Sequence, residues 1–79
     1  MSNWIRVEDL YGERLKKRRE MAGISVEELG KMVGVSRWRI YDYENGRSMP
    51  PADKAALMYN MINDRLSDRD LYRLEEDLV

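Results

Sequence analysis

The segment that most constrains this chain is residues 23–46, which reads as two short helices divided by one tight turn. Ser25 is placed to cap the first helix, and Glu28, three residues on, completes a capping box. Gly34 supplies the left-handed residue that ends this helix. Ser36 follows after one residue and is placed to cap the second helix.

Each of these helices has its own apolar face. Leu29 and Val33 are four residues apart on the first, and Ile40 and Tyr43 are three apart on the second. Side chains at these spacings share one side of a helix, so both pairs are predicted to face the core. Gly46 closes the second helix. Two helices joined by a short turn containing glycine make a helix-turn-helix.

The segment resembles the Cro/phage-repressor (XRE-like) helix-turn-helix family. The matching positions are Gly23, Ile24, Ser25, Leu29, Val33, Gly34, Val35, Ser36, Ile40, Tyr43, Glu44, Asn45 and Gly46. The resemblance covers about residues 10–66 and implies a compact all-α, lambda-repressor-like domain of five helices. We expect one domain over residues 1–79, with a first helix over 8–22, a core of about 8–66 and a last helix of about 68–78.

The fourth helix is predicted to open at Pro50-Pro51-Ala52-Asp53, because proline is favoured in the first turn of a helix. Its apolar positions are expected to close the core beneath the two central helices. They are Ala55, Leu57, Met58, Met61, Ile62 and Leu66.

The last helix carries a leucine stripe that predicts a dimer contact. Ser67 and Asp70 form a second capping signature, and Leu71, Leu74 and Leu78 follow at spacings of three and four. A domain this small leaves some of that stripe exposed, so we expect a homodimer, with a monomer as the alternative.

Composition excludes several classes of function. The 79 residues contain no cysteine and no histidine, which removes thiolate metal sites and the commonest general base. No nucleophile-base set or phosphate-binding glycine loop is present. We therefore expect no enzymatic activity, no cofactor and no metal. No apolar run approaches the ~20 residues of a membrane span, and no signal sequence is evident, so a cytoplasmic protein is expected.

The net charge of −1 conceals an asymmetry. Residues 13–47 hold nine basic and six acidic side chains, whereas residues 48–79 hold four basic and seven acidic ones. A locally positive module can bind a polyanion because phosphate contacts are local. The alternative is that both segments are ordinary solvent-exposed faces, which would give the same numbers of charged residues.

The resemblance implies that the second helix of the motif enters the major groove of double-stranded DNA. Four outward residues are then expected to contact bases: Arg37, Trp38, Tyr41 and Asp42. Arg37 suits guanine O6 and N7, Trp38 suits thymine methyls, and Asp42 suits cytosine N4. Asp42 could instead hold Arg37 or Arg39 in place. The alternative for the two aromatic residues is packing against the N-terminal segment or a partner protein.

A second set of residues is expected to contact phosphates: Arg19, Ser25, Ser36, Arg39, Asn45 and Arg47. Family resemblance also implies an ion pair between Arg19 and Glu44 that joins the first helix to the end of the third. Asn45 could instead simply adopt a left-handed turn conformation.

Three positions depart from the family pattern. Val26 replaces a glutamine that usually contacts a phosphate and supports the first base-reading side chain. Gly30 replaces an alanine, which costs ~1 kcal/mol of helix propensity but permits close approach of the next helix. Arg18 replaces an apolar residue and is expected at the edge of the core.

The family resemblance implies a sequence-specific transcriptional regulator, and we expect a repressor that binds a palindromic operator as a dimer. Small proteins of this type regulate phages, restriction systems and other mobile elements, so we expect the cytoplasm of a bacterial cell or a phage-infected host. The alternative is a protein-interaction module, such as an antitoxin or adaptor, that uses the same fold.

Overall fold

The computed structural model describes residues 10–67, 69, 70 and 73. Within residues 10–67 the chain forms four helices and no strand, and the described residues 69, 70 and 73 are also helical. The helices are α1 (Gly12–Met21), α2 (Val26–Val33), α3 (Arg37–Glu44) and α4 (Ala52–Asn63). The all-α class is confirmed, whereas the count of five helices is not.

The signals that delimit α2 and α3 act as predicted. The Ser25 hydroxyl accepts a hydrogen bond from the Glu28 amide at 3.0 Å, and the Ser36 hydroxyl accepts one from the Arg39 amide at 3.2 Å. Such caps each contribute about 1 kcal/mol. Gly34 ends α2 in the left-handed region, with φ of +75°. Local sequence chemistry therefore determines both ends of the turn.

The helix predicted over residues 8–22 is interrupted at Tyr11. Tyr11 is extended, with φ of −142° and ψ of 142°, and α1 starts at Gly12. The Tyr11 hydroxyl donates a hydrogen bond to the Gly46 carbonyl at 2.6 Å. This contact ties the start of α1 to the loop after α3, which no local pattern indicated.

The core lies where α1, α2, α3 and α4 meet. Its buried apolar residues are Leu10, Leu15, Ile24, Leu29, Val33, Ile40, Tyr43, Ala55, Met58, Ile62 and Leu66. The predicted inner faces of α2 and α3 are confirmed, while Leu57 and Met61 of α4 are only partly buried. Each large aliphatic side chain removed from water contributes ~1.5–3 kcal/mol, so this core supplies most of the drive to fold.

The turn between α2 and α3 is tightly packed. A Cβ atom on Gly30 would lie 2.7 Å from the Val35 carbonyl oxygen and 3.3 Å from the Arg37 amide nitrogen. The predicted close approach of the third helix is therefore present. Lys54 of α4 adds a link, since its ammonium donates a hydrogen bond to the Val33 carbonyl at 3.0 Å.

After α4 the chain forms the predicted second capping box. The Ser67 amide donates to the Asp70 carboxylate at 3.1 Å, and the Asp70 amide donates to the Ser67 hydroxyl at 3.2 Å. The bond from the Ser67 amide lowers the pKa of Asp70. The leucine stripe predicted for dimer contact, Leu71, Leu74 and Leu78, lies outside the described residues.

Candidate nucleic-acid interface

The outer face of α3 is exposed and aromatic. Ile40 and Tyr43 of the same helix are buried in the core, which turns Trp38 and Tyr41 to the outside. Trp38 is 64% exposed and Tyr41 is 42% exposed, and their ring centroids lie 5.9 Å apart. Large exposed aromatic side chains that pack on each other form a surface suited to contact with another molecule.

Arg37 extends this surface toward α2. Its guanidinium carbon lies 4.9 Å from the centroid of the Trp38 ring, within the range of a cation–π interaction. One of its terminal nitrogens, Nη1, lies 3.7 Å from the Glu27 carboxylate. The structure therefore places Arg37 between a carboxylate of α2 and an aromatic ring of α3.

Asp42, the fourth residue predicted to contact bases, has a different neighbour from the ones expected. Its carboxylate lies 3.9 Å from the Arg47 guanidinium, and its backbone carbonyl accepts hydrogen bonds from the Arg47 and Ser48 amides. The interpretation that Asp42 holds Arg37 or Arg39 is therefore wrong. The chain turns back sharply after α3, which brings Arg47 over Asp42.

A buried ion pair links α1 to the C-terminal end of α3. Arg19 of α1 donates from Nε and Nη2 to the two carboxylate oxygens of Glu44, at 2.5 and 3.1 Å, and from Nη1 to the Ile24 carbonyl at 2.9 Å. Both side chains are at least 90% buried. The hydrogen bond to Glu44 raises the pKa of Arg19. The guanidinium is thus held by partners within the chain, and Arg18 beside it is also buried.

The other residues predicted to contact phosphates lie on the surface. They are Ser25, Ser36, Arg39, Asn45 and Arg47, and all five are exposed. Asn45 has φ of −90°, so the left-handed alternative for it is wrong. Gly46 takes that conformation instead, with φ of +75°, because glycine has no Cβ to oppose it.

Sequence reasoning missed the ion pairs of two carboxylates beside this surface. Glu27 contacts Arg37 and also lies 3.9 Å from the Lys31 ammonium. Glu28 accepts a hydrogen bond from Arg65 at 2.9 Å, and this bond lowers the pKa of Glu28. The spacing of four between Glu27 and Lys31 is readable from the sequence. The other two contacts join residues from separate elements and have no local signal.

The described residues show neither a metal centre nor a membrane helix. No group of three or more potential metal ligands comes together in them. None of their helices is long and apolar enough to cross a bilayer.

Comparison with known proteins identifies a family that this chain matches. The sequence model described as helix-turn-helix matches residues 15–58, more than half of the chain. A protein of Pyrococcus furiosus, provisionally named an HTH-type transcriptional regulatory protein, is 40% identical over 55 residues, which are 70% of this chain and 18% of that protein. No solved structure matches significantly.

Two further relatives carry the same provisional name. The one from Sulfurisphaera tokodaii is 40% identical over 55 residues, which cover 70% of this chain and 19% of the relative. The one from Pyrobaculum aerophilum is 33% identical over 58 residues, which cover 73% and 23%. This chain therefore spans about a fifth of the length of the curated relatives that it matches. These relatives are archaeal, so the expected bacterial or phage host stays a prediction.

Proposed function

Because this chain belongs to the helix-turn-helix family, we propose that it is a DNA-binding transcriptional regulator that recognises a specific sequence through α3. The observation that carries the proposal is the exposed surface of α3. Arg37, Trp38 and Tyr41 stand outward on a helix whose start is capped and whose back is braced. A rigidly held helix with polar and aromatic side chains on its outer face suits entry into the major groove.

Base recognition is assigned to the N-terminal half of α3. Arg37 can donate two hydrogen bonds to guanine O6 and N7, a contact worth ~1–3 kcal/mol of discrimination against other bases. Trp38 offers apolar surface for a neighbouring thymine methyl. Tyr41 lies one turn further along, and Asp42 is placed to accept from cytosine N4 if Arg47 moves away.

Phosphate contacts are assigned to the rim of this surface. The amides at the start of α2 and α3 favour an anion, as helix N-termini generally do, and Ser25 and Ser36 lie there. Arg39, Asn45 and Arg47 add exposed donors on α3 and its following loop. Arg19 has a lesser share, since Glu44 and Ile24 already occupy three of its N–H groups.

Repression would follow from occupancy alone. Two copies related by a two-fold axis would place their α3 helices in successive major grooves, ~34 Å apart along a palindromic operator, and exclude polymerase. The leucine stripe of residues 71, 74 and 78 is the proposed dimer contact.

The test is selection of binding sites from random duplex DNA at physiological salt. We expect an enriched palindrome with half-sites about one helical turn apart. Arg37→Ala should abolish preference at one base pair of each half-site. Arg69→Ala is the matched control, because it removes the same charge from an exposed position outside α2 and α3. Absence of any enriched sequence would contradict the proposal.

A second candidate is supported by the same aromatic surface. Trp38, Tyr41 and Met49 are the large apolar side chains most exposed among the described residues, at 64%, 42% and 57%. Such side chains are typical anchors of protein interfaces. A protein-interaction module, such as an antitoxin or adaptor, would bind its partner through them. In that case Arg37→Ala would leave partner binding nearly unchanged, whereas Trp38→Ala would weaken it strongly.

A further inference from the structure

Glu27 is a carboxylate on a surface proposed to face DNA. It is the second residue of α2, and its side chain is 60% exposed. One of its oxygens lies 3.7 Å from Arg37 of α3, and the other lies 3.9 Å from Lys31 of α2. A negative charge at this position weakens the attraction of the start of α2 for a phosphate, so phosphate binding does not account for Glu27.

The second neighbour of Arg37 is an aromatic ring. The guanidinium carbon lies 4.9 Å from the Trp38 centroid, and Trp38 is itself in contact with Tyr41. Glu27 and Trp38 thus restrict the guanidinium from two directions, one on α2 and one on α3. An arginine restricted before binding loses less side-chain freedom when it meets its target.

We propose that Glu27 is a positioning residue that sharpens the base preference of Arg37 for its target in DNA. This inference rests on the proposed function. With Trp38, the carboxylate orients the guanidinium so that its remaining N–H groups face one base pair. The same charge offsets the attraction of Arg37 for phosphates, which carry no sequence information. Glu27 therefore lowers affinity for unrelated DNA and sharpens the preference for a guanine.

The expected effect is modest because the ion pair is exposed. Exposed pairs contribute little, and their loss changes an equilibrium by about fivefold at most. Glu27→Gln keeps the length and shape of the side chain but removes its charge. We expect this variant to lose about threefold to fivefold in discrimination at the base pair read by Arg37, and to bind unrelated DNA more tightly.

The experiment compares Glu27→Gln with Glu13→Gln in the full chain. Both glutamates are exposed and lie in the first turn of a helix, so the two variants have the same net charge. Competition binding would measure the selected site and each of its single-base-pair variants. The base pair read by Arg37 is identified as the one at which Arg37→Ala loses preference. Only Glu27→Gln should lose discrimination there, and other base pairs should be unaffected.

A second readout needs no DNA. The Trp38 ring shifts the NMR signals of Arg37 side-chain protons while the two groups are stacked. In Glu27→Gln we expect these shifts to move toward those of a free arginine, and in Glu13→Gln we expect no change. If Glu27 acted only through the net charge of the protein, Glu27→Gln would leave the Arg37 chemical shifts unchanged.

Three results would overturn the inference. They are equal effects of the two glutamine variants, a loss of discrimination spread over all base pairs, or unchanged Arg37 signals in Glu27→Gln. These differ from failure of the proposed function, in which the wild-type chain would select no sequence at all. That result would remove the specificity role as well, whatever the NMR signals show.

Discussion

At the scale of single residues, Gly30 shows how backbone packing outweighs helix propensity. Glycine inside a helix is ordinarily less stable than alanine by ~1 kcal/mol. Here a Cβ would meet the Val35 carbonyl oxygen at 2.7 Å, a distance that requires the backbone to move. The residue that weakens α2 locally is the one that allows α3 to pack close against it.

We therefore predict that Gly30→Ala destabilises the domain, against the usual trend. Overpacking of this kind costs ~1–3 kcal/mol, which exceeds the gain in propensity. Urea denaturation followed by circular dichroism would measure the change in the free energy of unfolding. A variant more stable than the wild type would show that the turn between α2 and α3 adjusts freely.

The buried ion pair of Arg19 and Glu44 is expected to be important for the stability of the fold. Removing one partner of a buried ion pair leaves an uncompensated charge, at a cost of ~3–5 kcal/mol. We expect Arg19→Met and Glu44→Leu each to destabilise the fold by that order. The double variant Arg19→Met/Glu44→Leu should be less destabilised than the sum of the single changes, because it leaves no buried charge. If the losses of unfolding free energy were additive in this double-mutant cycle, the pair would be solvated and the two side chains would not be coupled.

At the scale of elements, the contact between Glu28 and Arg65 couples the start of α2 to the segment after α4. The hydrogen bond from Arg65 is the largest cause of the lowered pKa of Glu28, and the Ser25 amide adds to it. A carboxylate whose pKa is lower in the folded state stabilises the fold at pH above its unfolded pKa. That stabilisation is lost as the pH falls through the folded pKa.

We predict that Arg65→Gln raises the pKa of Glu28 toward its ordinary value of 4.5. NMR titration of the carboxyl carbon of Glu28 would measure it. The wild type should also lose stability, relative to this variant, as the pH falls below the unfolded pKa. An unchanged pKa of Glu28 in Arg65→Gln would contradict the assigned cause. Asp70 is a suitable internal reference, because its pKa is lowered by Ser67 instead.

At the scale of the whole molecule, α3 packs its inner face on one small core, and long-range bonds hold its C-terminal end and the loop that follows. Arg19 holds the end of α3 from within, and Tyr11 bonds to the loop that follows. Lys54 caps the end of α2 from α4. These long-range bonds tie α2 and α3 to the rest of the domain.

The dimer is predicted to depend on the leucine stripe in the C-terminal segment. Truncation before Ser67 removes the leucine stripe but keeps the core residues that the structure describes. We expect the truncated chain to sediment as a monomer and to bind a palindromic site more weakly than the full chain. A truncated chain that still sediments as a dimer would place the interface elsewhere in residues 1–66.

The sequence by itself determined the boundaries of α2 and α3, the turn between them and their inner faces. Each of these rests on residues a few positions apart, such as Ser25 with Glu28, or Ile40 with Tyr43. Family resemblance added the pair of Arg19 with Glu44, which the structure contains.

Only the tertiary structure decided the partners of the charged side chains. Arg37 meets Glu27, Asp42 meets Arg47, and Glu28 meets Arg65. A long side chain on a helix has several oppositely charged residues within reach, and the sequence does not rank them. The bond from the Tyr11 hydroxyl to the Gly46 carbonyl, 35 residues away, is likewise a contact without a local signal. Local sequence signals determine where the helices begin and end, and the packing of the helices determines which charged side chains contact each other.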